Sequence, residues 1–526
     1  MRWCPAIALA AGLALSVGCR GCGSPPAPPP ERFVSGRARA AVIVPEIAGA
    51  SANANALLRA AASFPGAAAL PEARAGIAAQ LGFDPLDPRA LERAGIDPSR
   101  GAALFLAGGR LVLVLPVLHR GDLEDLVARL ARDRGGATER FSERVDGVDL
   151  SIWRAPDRAP AAVLAFRDRT ALLSSGFRAQ DAIAAAASLE PGLSLAQSPS
   201  YHALRRAVDD RFAVLAFFPP GSFPLPYADG ARSGAITAAV GGSEERLSIL
   251  LAALPSEGGS FADLAAGAGV EGPLAALAPA AATAAWNGDP GALARRLLPL
   301  VPVRDREWLA ARGIDLRRDV FDLLGPGAAG AASLAPGAGL SAISGDVLRA
   351  DPLRLLRFEA VSPLRDVARS REVSARIARL AGSRPGGAAA AGPARYRVRT
   401  PSGEIAWAVD AERARLALAG GAPGGLDALL GRLAAAPAPR GGAGALAGGL
   451  GGLALDVPRL VESVRALPPE AFGEGPDAFV LRSVVDRFVD PAERLAAVSA
   501  RADLEGGALR LTIEVEVRPP QAEGPR

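Results

Sequence analysis

The sequence contains no lysine, because all 59 basic residues among its 526 are arginine. Lysine is required in the phosphate-binding loop of nucleoside triphosphatases, in Schiff-base chemistry and in Ser-x-x-Lys acyl transfer. Histidine is also rare: His119 and His202 cannot supply a three-histidine zinc site or a His-Glu-x-x-His helix. These absences exclude several large classes of enzyme.

Cysteines and aromatic residues are scarce as well. The three cysteines are Cys4, Cys19 and Cys22, so the rest of the chain can form no disulfide and no thiolate metal site. Aromatic residues make up 5% of the chain, which leaves few for stacking against sugar rings. The acidic pairs Asp209-Asp210 and Glu244-Glu245 keep carboxylate-dependent hydrolysis open as an alternative function.

The charge of the chain is nearly balanced. The formal net charge is +4, from 59 basic and 55 acidic residues spread along the sequence, so no nucleic-acid partner is expected. Half of the residues are hydrophobic, and a chain of 526 residues is long enough for several domains.

The first residues have the pattern of a signal peptide. Arg2 precedes an apolar run from about Ala6 to Val17. This run is about a dozen residues long, whereas a helix needs roughly 20 to cross the hydrocarbon core. We therefore expect residues 1–18 to direct export and then to be removed.

Leu15-Ser16-Val17-Gly18-Cys19 resembles the lipobox of bacterial lipoproteins. The resemblance implies a diacylglycerol on Cys19 and attachment to the cell envelope. The residue after the cysteine is Arg20 and not the aspartate that retains such proteins at the inner membrane, which implies the outer membrane. The proline-rich stretch within residues 19–36 is interpreted as a spacer. Cys22 is either a second lipidation site or a free thiol.

The body of the chain contains an internal correspondence. Leu91–Asp97 matches Leu309–Asp315, and each segment ends a short helical stretch in Gly-Ile-Asp. The glycines, Gly95 and Gly313, are predicted to be helix C-caps. A short buried segment is expected after each turn, at Ala102–Ala107 and Val320–Leu324.

Further elements follow in the same order in both halves. Amphipathic helices are predicted at Asp122–Arg132, with Asp122 as N-cap, and at Val367–Leu380. Hairpins, helices and closing strands come next, ending in Leu509–Val517, which alternates apolar and polar residues. We predict an α+β fold of two tandem repeats, residues 37–256 and 278–518, each a mostly antiparallel sheet with helices on one face. A linker over 257–277 and a disordered tail over 519–526 complete the organisation.

Two further motifs have structural interpretations. Ser200, His202 and Asp209 could form a catalytic triad, but no Gly-x-Ser-x-Gly turn is present, and a surface histidine near a helix start is preferred. Gly325–Gly330 matches Gly-x-Gly-x-x-Gly, yet the following residues are predicted to be loop, so we interpret it as a turn.

The order of elements resembles an uncharacterised family of duplicated α+β proteins of the bacterial envelope, for which no catalytic residues can be carried over. We therefore predict a non-enzymatic, lipid-anchored envelope protein that binds or scaffolds a partner, with no cofactor and no metal. The alternatives are a periplasmic carrier of an apolar ligand or lipid, and a carboxylate-dependent hydrolase.

Overall fold

The computed structural model describes the chain from residue 28 to residue 518, apart from several short internal segments. The described residues are 28–61, 69–155, 158–209, 211–222, 234–256, 259–265, 269–298, 303–335, 355–382, 392–400, 403–421, 423–435, 446, 448–472 and 475–518. The predicted signal peptide, Cys19, Cys22 and the tail 519–526 lie outside these residues.

The described residues form strands that pair in antiparallel fashion. The strands are β1 (Ala41–Val44), β2 (Ala102–Ala107), β3 (Arg110–Pro116), β4 (Glu139–Val145), β5 (Val148–Arg154), β6 (Ala162–Arg167), β7 (Thr170–Ser174), β8 (Val214–Phe218), β9 (Ile236–Gly242), β10 (Arg246–Ala253), β11 (Ala282–Trp286), β12 (Ala328–Leu334), β13 (Leu356–Pro363), β14 (Ala394–Thr400), β15 (Gly403–Asp410), β16 (Arg415–Gly420), β17 (Gly451–Asp456), β18 (Leu495–Glu505) and β19 (Ala508–Val517).

Helices lie between these strands and vary from 4 to 17 residues in length. They are α1 (Ile47–Ala61), α2 (Ala69–Leu81), α3 (Pro88–Arg93), α4 (Arg120–Asp133), α5 (Ala179–Ala187), α6 (Pro199–Arg206), α7 (Glu271–Ala276), α8 (Pro290–Leu297), α9 (Val303–Ala310), α10 (Leu316–Asp319), α11 (Val367–Leu380), α12 (Gly425–Ala435), α13 (Val457–Arg465) and α14 (Pro476–Ala492). The chain is therefore an α+β protein with antiparallel sheet, as the sequence predicts.

Two compact units divide the chain differently from the predicted halves. The first contains the described residues up to Ala38 together with Arg89–Gln197. Its strands pair in the order β2-β3-β7-β6-β5-β4. Four consecutive residues of β6, Ala162–Ala165, are buried. Because successive side chains of a strand point to opposite faces, both faces of β6 are covered, whereas the sequence predicts one covered face.

The second unit contains Arg39–Pro88 and the described residues from Ser198 onward. Its strands form one antiparallel order, β1-β8-β9-β10-β19-β18-β17-β11-β12-β13-β16-β15-β14. The predicted closing strand Leu509–Val517 is β19, and it pairs with β10 over eight residues, from Arg246 opposite Glu516 to Ala253 opposite Leu509.

The two Gly-Ile-Asp turns have the predicted backbone. Gly95 and Gly313 have φ angles of +80° and +71°, the left-handed conformation in which glycine ends a helix without strain. Ile96 and Ile314 are buried after them. The prediction that Asp122 caps α4 is wrong: the helix begins at Arg120, because the backbone N–H of His119 donates to the carbonyl of Gly95 and fixes the entry of the chain.

Two segments predicted as irregular are ordered parts of the second unit. The expected loop after Gly325 is instead strand β12, which lies between β11 and β13. The preceding stretch Val320–Leu324, expected to be a short buried segment, is a separate case: it contains a 3-10 turn, and of its five residues Leu323 alone is buried. The predicted linker 257–277 contains helix α7, with Val270 and Leu274 buried in the core. Both segments are rich in small residues, whose alternation and propensity are weak, so tertiary packing decides their structure.

Candidate functional site

A cavity lies between a pair of helices and the sheet of the second unit. Its volume is about 680 Å³. Helices α1 and α2, the segment after α2, and strands β10, β18 and β19 form its walls. The lining residues are Ala54, Leu57, Leu58, Ala60, Ala61, Leu70, Ala73, Arg74, Ile77, Pro85, Leu86, Leu247, Leu495, Val515 and Val517. We call this space the helix-pair cavity.

Helix α1 presents one apolar face to the cavity. Ala54, Leu57, Leu58 and Ala61 recur at the three- and four-residue spacing that places side chains on one side of a helix. Asn53 holds the helix in place, since its side-chain oxygen accepts a hydrogen bond from the backbone N–H of Gly242 at 2.7 Å. The C-terminal end of β9 therefore positions helix α1 as a wall of the cavity.

Helix α2 forms the second wall through Leu70, Ala73, Arg74 and Ile77, which share one face by the same spacing. None of its 13 residues is buried. Leu70 and Ile77 are 42% and 47% exposed. The apolar face of α2 is therefore half exposed beside the cavity. In a globular protein such a face is normally covered by other apolar residues.

The floor of the cavity is an apolar row that crosses neighbouring strands. Leu247 of β10 lies directly opposite Val515 of β19, and Val517 lies opposite Leu495 of β18. Directly paired residues of antiparallel strands share a face. The same face continues through Ile249 opposite Ile513 and Leu251 opposite Leu511.

This floor extends beyond the lining of the cavity, because Leu251 of β10 is 41% exposed and Val240 of β9 is 39% exposed. Val240 lies directly opposite Ile249 and therefore belongs to the same face. Apolar sheet surface is thus open next to the helix-pair cavity.

Arg74 is the charged residue among the described lining residues. Its Nε and Nη2 donate to Asp84 Oδ2 at 3.0 and 2.6 Å. Asp84 Oδ1 accepts the backbone N–H of Leu86 at 3.0 Å. The hydrogen bond from Arg74 lowers the pKa of the Asp84 carboxyl and outweighs the opposing effect of burial. A guanidinium group thus lines an otherwise apolar cavity.

Most of the residues considered for catalysis lie in or after α6 and in the turn between β9 and β10. His202 is an exposed residue of α6, and Ser198 caps this helix by accepting the backbone N–H of Tyr201 at 3.4 Å. Asp209 pairs with Arg211 at 3.0 Å, and Glu244 pairs with Arg59 at 2.7 Å. Asp210 lies outside the described residues.

The described residues contain neither a candidate metal cluster nor a candidate membrane-spanning helix. No cluster of three or more histidine, cysteine, aspartate or glutamate residues suited to a metal ion is present among them. Within the same part of the chain, no helix combines the length and the apolar character needed to span a bilayer.

Sequence reasoning did not locate the helix-pair cavity. The signal available was the helical periodicity of apolar residues over 54–61 and 70–77, which indicates two apolar helix faces. That periodicity does not reveal whether the two apolar helix faces pack closely against the sheet or leave a space. The distance between the helices and the sheet depends on residues that are remote in sequence.

Comparisons with known proteins identify no family for this chain, but they find some weakly similar solved structures. No protein-family model matches this chain, and no curated protein is significantly similar to it. Among solved structures, crystal form I of TP0453 is similar at 10% identity over 44% of this chain and 80% of its own, with a TM-score of 0.24. Crystal form IV of TP0453 gives 10% identity, 43% and 81% coverage, and a TM-score of 0.23. A likeness of this size establishes neither a shared fold nor a shared function.

Proposed function

We propose that this protein is a lipid-anchored carrier of apolar ligands in the bacterial cell envelope. The observation that supports the proposal is the helix-pair cavity, whose size lies within the range of about 300–1,000 Å³ that is typical of small-molecule sites. Its walls are apolar except for Arg74. Of the functions considered from the sequence, carriage of an apolar ligand is the one that requires such a cavity between helices and sheet.

A single acyl chain fits the chemistry of this cavity. Each methylene removed from water contributes about 0.8 kcal/mol, so a chain of a dozen or more carbons gains substantial free energy along the row formed by Leu247 and Val515. Arg74 can bind a carboxylate or phosphate at the end of that chain. The proposed ligand is therefore a long-chain anionic amphiphile, and binding of palmitate to the purified protein, measured by calorimetry, tests the proposal directly.

Arg74→Gln is expected to remove the preference for a charged ligand. Hydrogen bonds to charged groups contribute about 1.5 kcal/mol or more, so wild-type protein should bind palmitate about tenfold more tightly than methyl palmitate. The variant should bind both equally, because the apolar walls are unchanged. Asp84→Asn is the matched control: it releases Arg74 from its ion pair and should strengthen palmitate binding. An unchanged preference in Arg74→Gln contradicts the assignment of the head-group site.

Lipid attachment at Cys19 is the second part of the proposal. It is supported by the lipobox-like sequence and by the physical sufficiency of two acyl chains for stable anchoring. Cells labelled with radioactive palmitate should give a labelled wild-type protein in the membrane fraction and an unlabelled Cys19→Ala protein. Equal fractionation of both proteins into the soluble periplasm would contradict the anchor.

We also propose that the body of the chain arose by duplication. The order β2-β3-β7-β6-β5 in the first unit corresponds to β12-β13-β16-β15-β14 in the second. In each case one helix follows the second strand of the series, α4 or α11, and another follows the last hairpin, α5 or α12. An experimental structure in which these elements fail to superpose would contradict the duplication.

A further inference from the structure

A second cavity lies in the second unit, between helix α11 and the strands β14, β15 and β16. Its volume is about 420 Å³. The lining residues are Asp319, Val320, Leu323, Leu324, Leu364, Ser370, Val373, Ser374, Ile377, Ala381, Val398, Ile405, Trp407, Leu416 and Leu418. It shares no lining residue with the helix-pair cavity, and we call it the α11 cavity.

The α11 cavity has a local cause in the sequence. Helices α4 and α11 both contain 14 residues, and their buried residues stand at the same positions of each helix. The corresponding pairs are Leu123 and Ser370, Leu126 and Val373, Val127 and Ser374, and Ala131 and Ala378. Two bulky side chains of α4 are thus replaced by serine in α11, and space remains beneath the helix.

The sheet side of the α11 cavity is built from large apolar residues. Trp407 stacks on Tyr396 with ring centroids 5.5 Å apart and planes 18° from parallel. Ile405 and Leu418 line the cavity and are only partly buried. One wall is therefore apolar and partly aromatic, while the helix wall carries two hydroxyl groups. Ser370 donates its hydroxyl hydrogen to the carbonyl of Asp366 at 2.6 Å, which leaves its oxygen able to accept a hydrogen bond.

The carboxylate that lines the α11 cavity is already neutralised. Asp319 Oδ1 accepts hydrogen bonds from Arg369 Nη2 at 2.8 Å and from Arg318 Nε at 3.2 Å. Its Oδ2 accepts the backbone N–H of Asp315 at 3.0 Å. Asp319 is the charged residue among the lining residues of the α11 cavity, and these partners occupy both of its oxygens, so a bound molecule should be uncharged.

We propose that the α11 cavity is a second binding site, for a compact uncharged molecule with an apolar ring system and one hydroxyl group. The ring system lies against Trp407 and Ile405, and the hydroxyl donates to Ser370 or Ser374. An apolar cavity of about 150 Å³ is known to admit benzene, so 420 Å³ is ample for a fused bicyclic molecule. This site is independent of the acyl chain proposed for the helix-pair cavity.

The test uses 1-naphthol as the probe and calorimetry of the full mature chain as the measurement. Ser370→Leu with Ser374→Val restores the residues of α4 and fills the space, so binding should weaken at least tenfold. Ala54→Trp, which fills the helix-pair cavity, is the control and should leave this binding event unchanged. Because the two cavities are blocked by different variants, failure of one proposal is distinguishable from failure of the other.

A second, smaller change tests the proposal even if the Ser370→Leu, Ser374→Val double variant misfolds. Ser374→Ala removes one hydroxyl without adding volume, and together with Ser370→Ala it should weaken 1-naphthol binding about threefold to tenfold while leaving naphthalene binding unchanged, as expected for a lost hydrogen bond. The proposal would be overturned if the wild-type chain does not bind 1-naphthol. It would also be overturned if the folded Ser370→Leu, Ser374→Val variant binds 1-naphthol as tightly as the wild type.

Discussion

Ala54→Trp is expected to weaken palmitate binding strongly while the protein stays folded. Ala54 lies on the cavity face of α1, and an indole at this position enters the space that the acyl chain would occupy. Displacing about four methylenes, at about 0.8 kcal/mol each, removes about 3 kcal/mol of binding free energy. Palmitate affinity should therefore fall by more than about 100-fold, as measured by calorimetry.

Ala52→Trp is the matched control on the same helix. Ala52 is exposed and does not line the cavity, so the added indole should leave palmitate affinity unchanged. Circular dichroism of both variants should match the wild-type spectrum. Palmitate binding of wild-type strength in a folded Ala54→Trp protein would eliminate the helix-pair cavity as the ligand site.

Asp319→Ala is expected to lower the free energy of unfolding by about 3 kcal/mol, as for other broken buried ion pairs. The Asp319 side chain has no exposed surface, yet it accepts hydrogen bonds from Arg318, Arg369 and the backbone of Asp315. Removing it leaves the backbone N–H of Asp315 and two arginines without their shared partner. Urea unfolding monitored by tryptophan fluorescence measures the change.

The control for this variant is Asp427→Ala, which removes an ion pair with Arg395 in which both side chains are about half exposed. Exposed pairs of this kind contribute about 0–1 kcal/mol, so its unfolding curve should lie near that of the wild type. If both variants lose the same stability, burial of Asp319 has no special role.

Acid should remove the contribution of Asp319 in the wild type. Burial alone would raise the pKa of this carboxyl, but hydrogen bonds from Arg318, the Asp315 backbone and Arg369 outweigh burial and hold the pKa far below 3.8. A group with a lowered pKa in the folded state stabilises the protein above the unfolded pKa and loses this contribution as pH falls towards the folded value. The stability difference between wild type and Asp319→Ala should therefore be constant near neutral pH and shrink below about pH 4.

The sequence alone determined those elements that have strong local patterns. Helix α11 has the predicted bounds, because its apolar residues recur at helical spacing. Strand β19 follows from alternation over Leu509–Val517, and the turns at Gly95 and Gly313 follow from the conformational freedom of glycine. In each case residues that are neighbours in the sequence are sufficient to predict the local structure.

Only the tertiary structure decided the elements and spaces that depend on distant residues. Strand β12 consists mainly of alanine and glycine and is a strand because β11 and β13 pair with it on either side. The pairing of β10 with β19 joins residues more than 250 positions apart. Both cavities are likewise gaps between elements, and their volumes depend on how closely a helix meets a sheet. No local pattern encodes that distance, because side chains from several remote segments set it together.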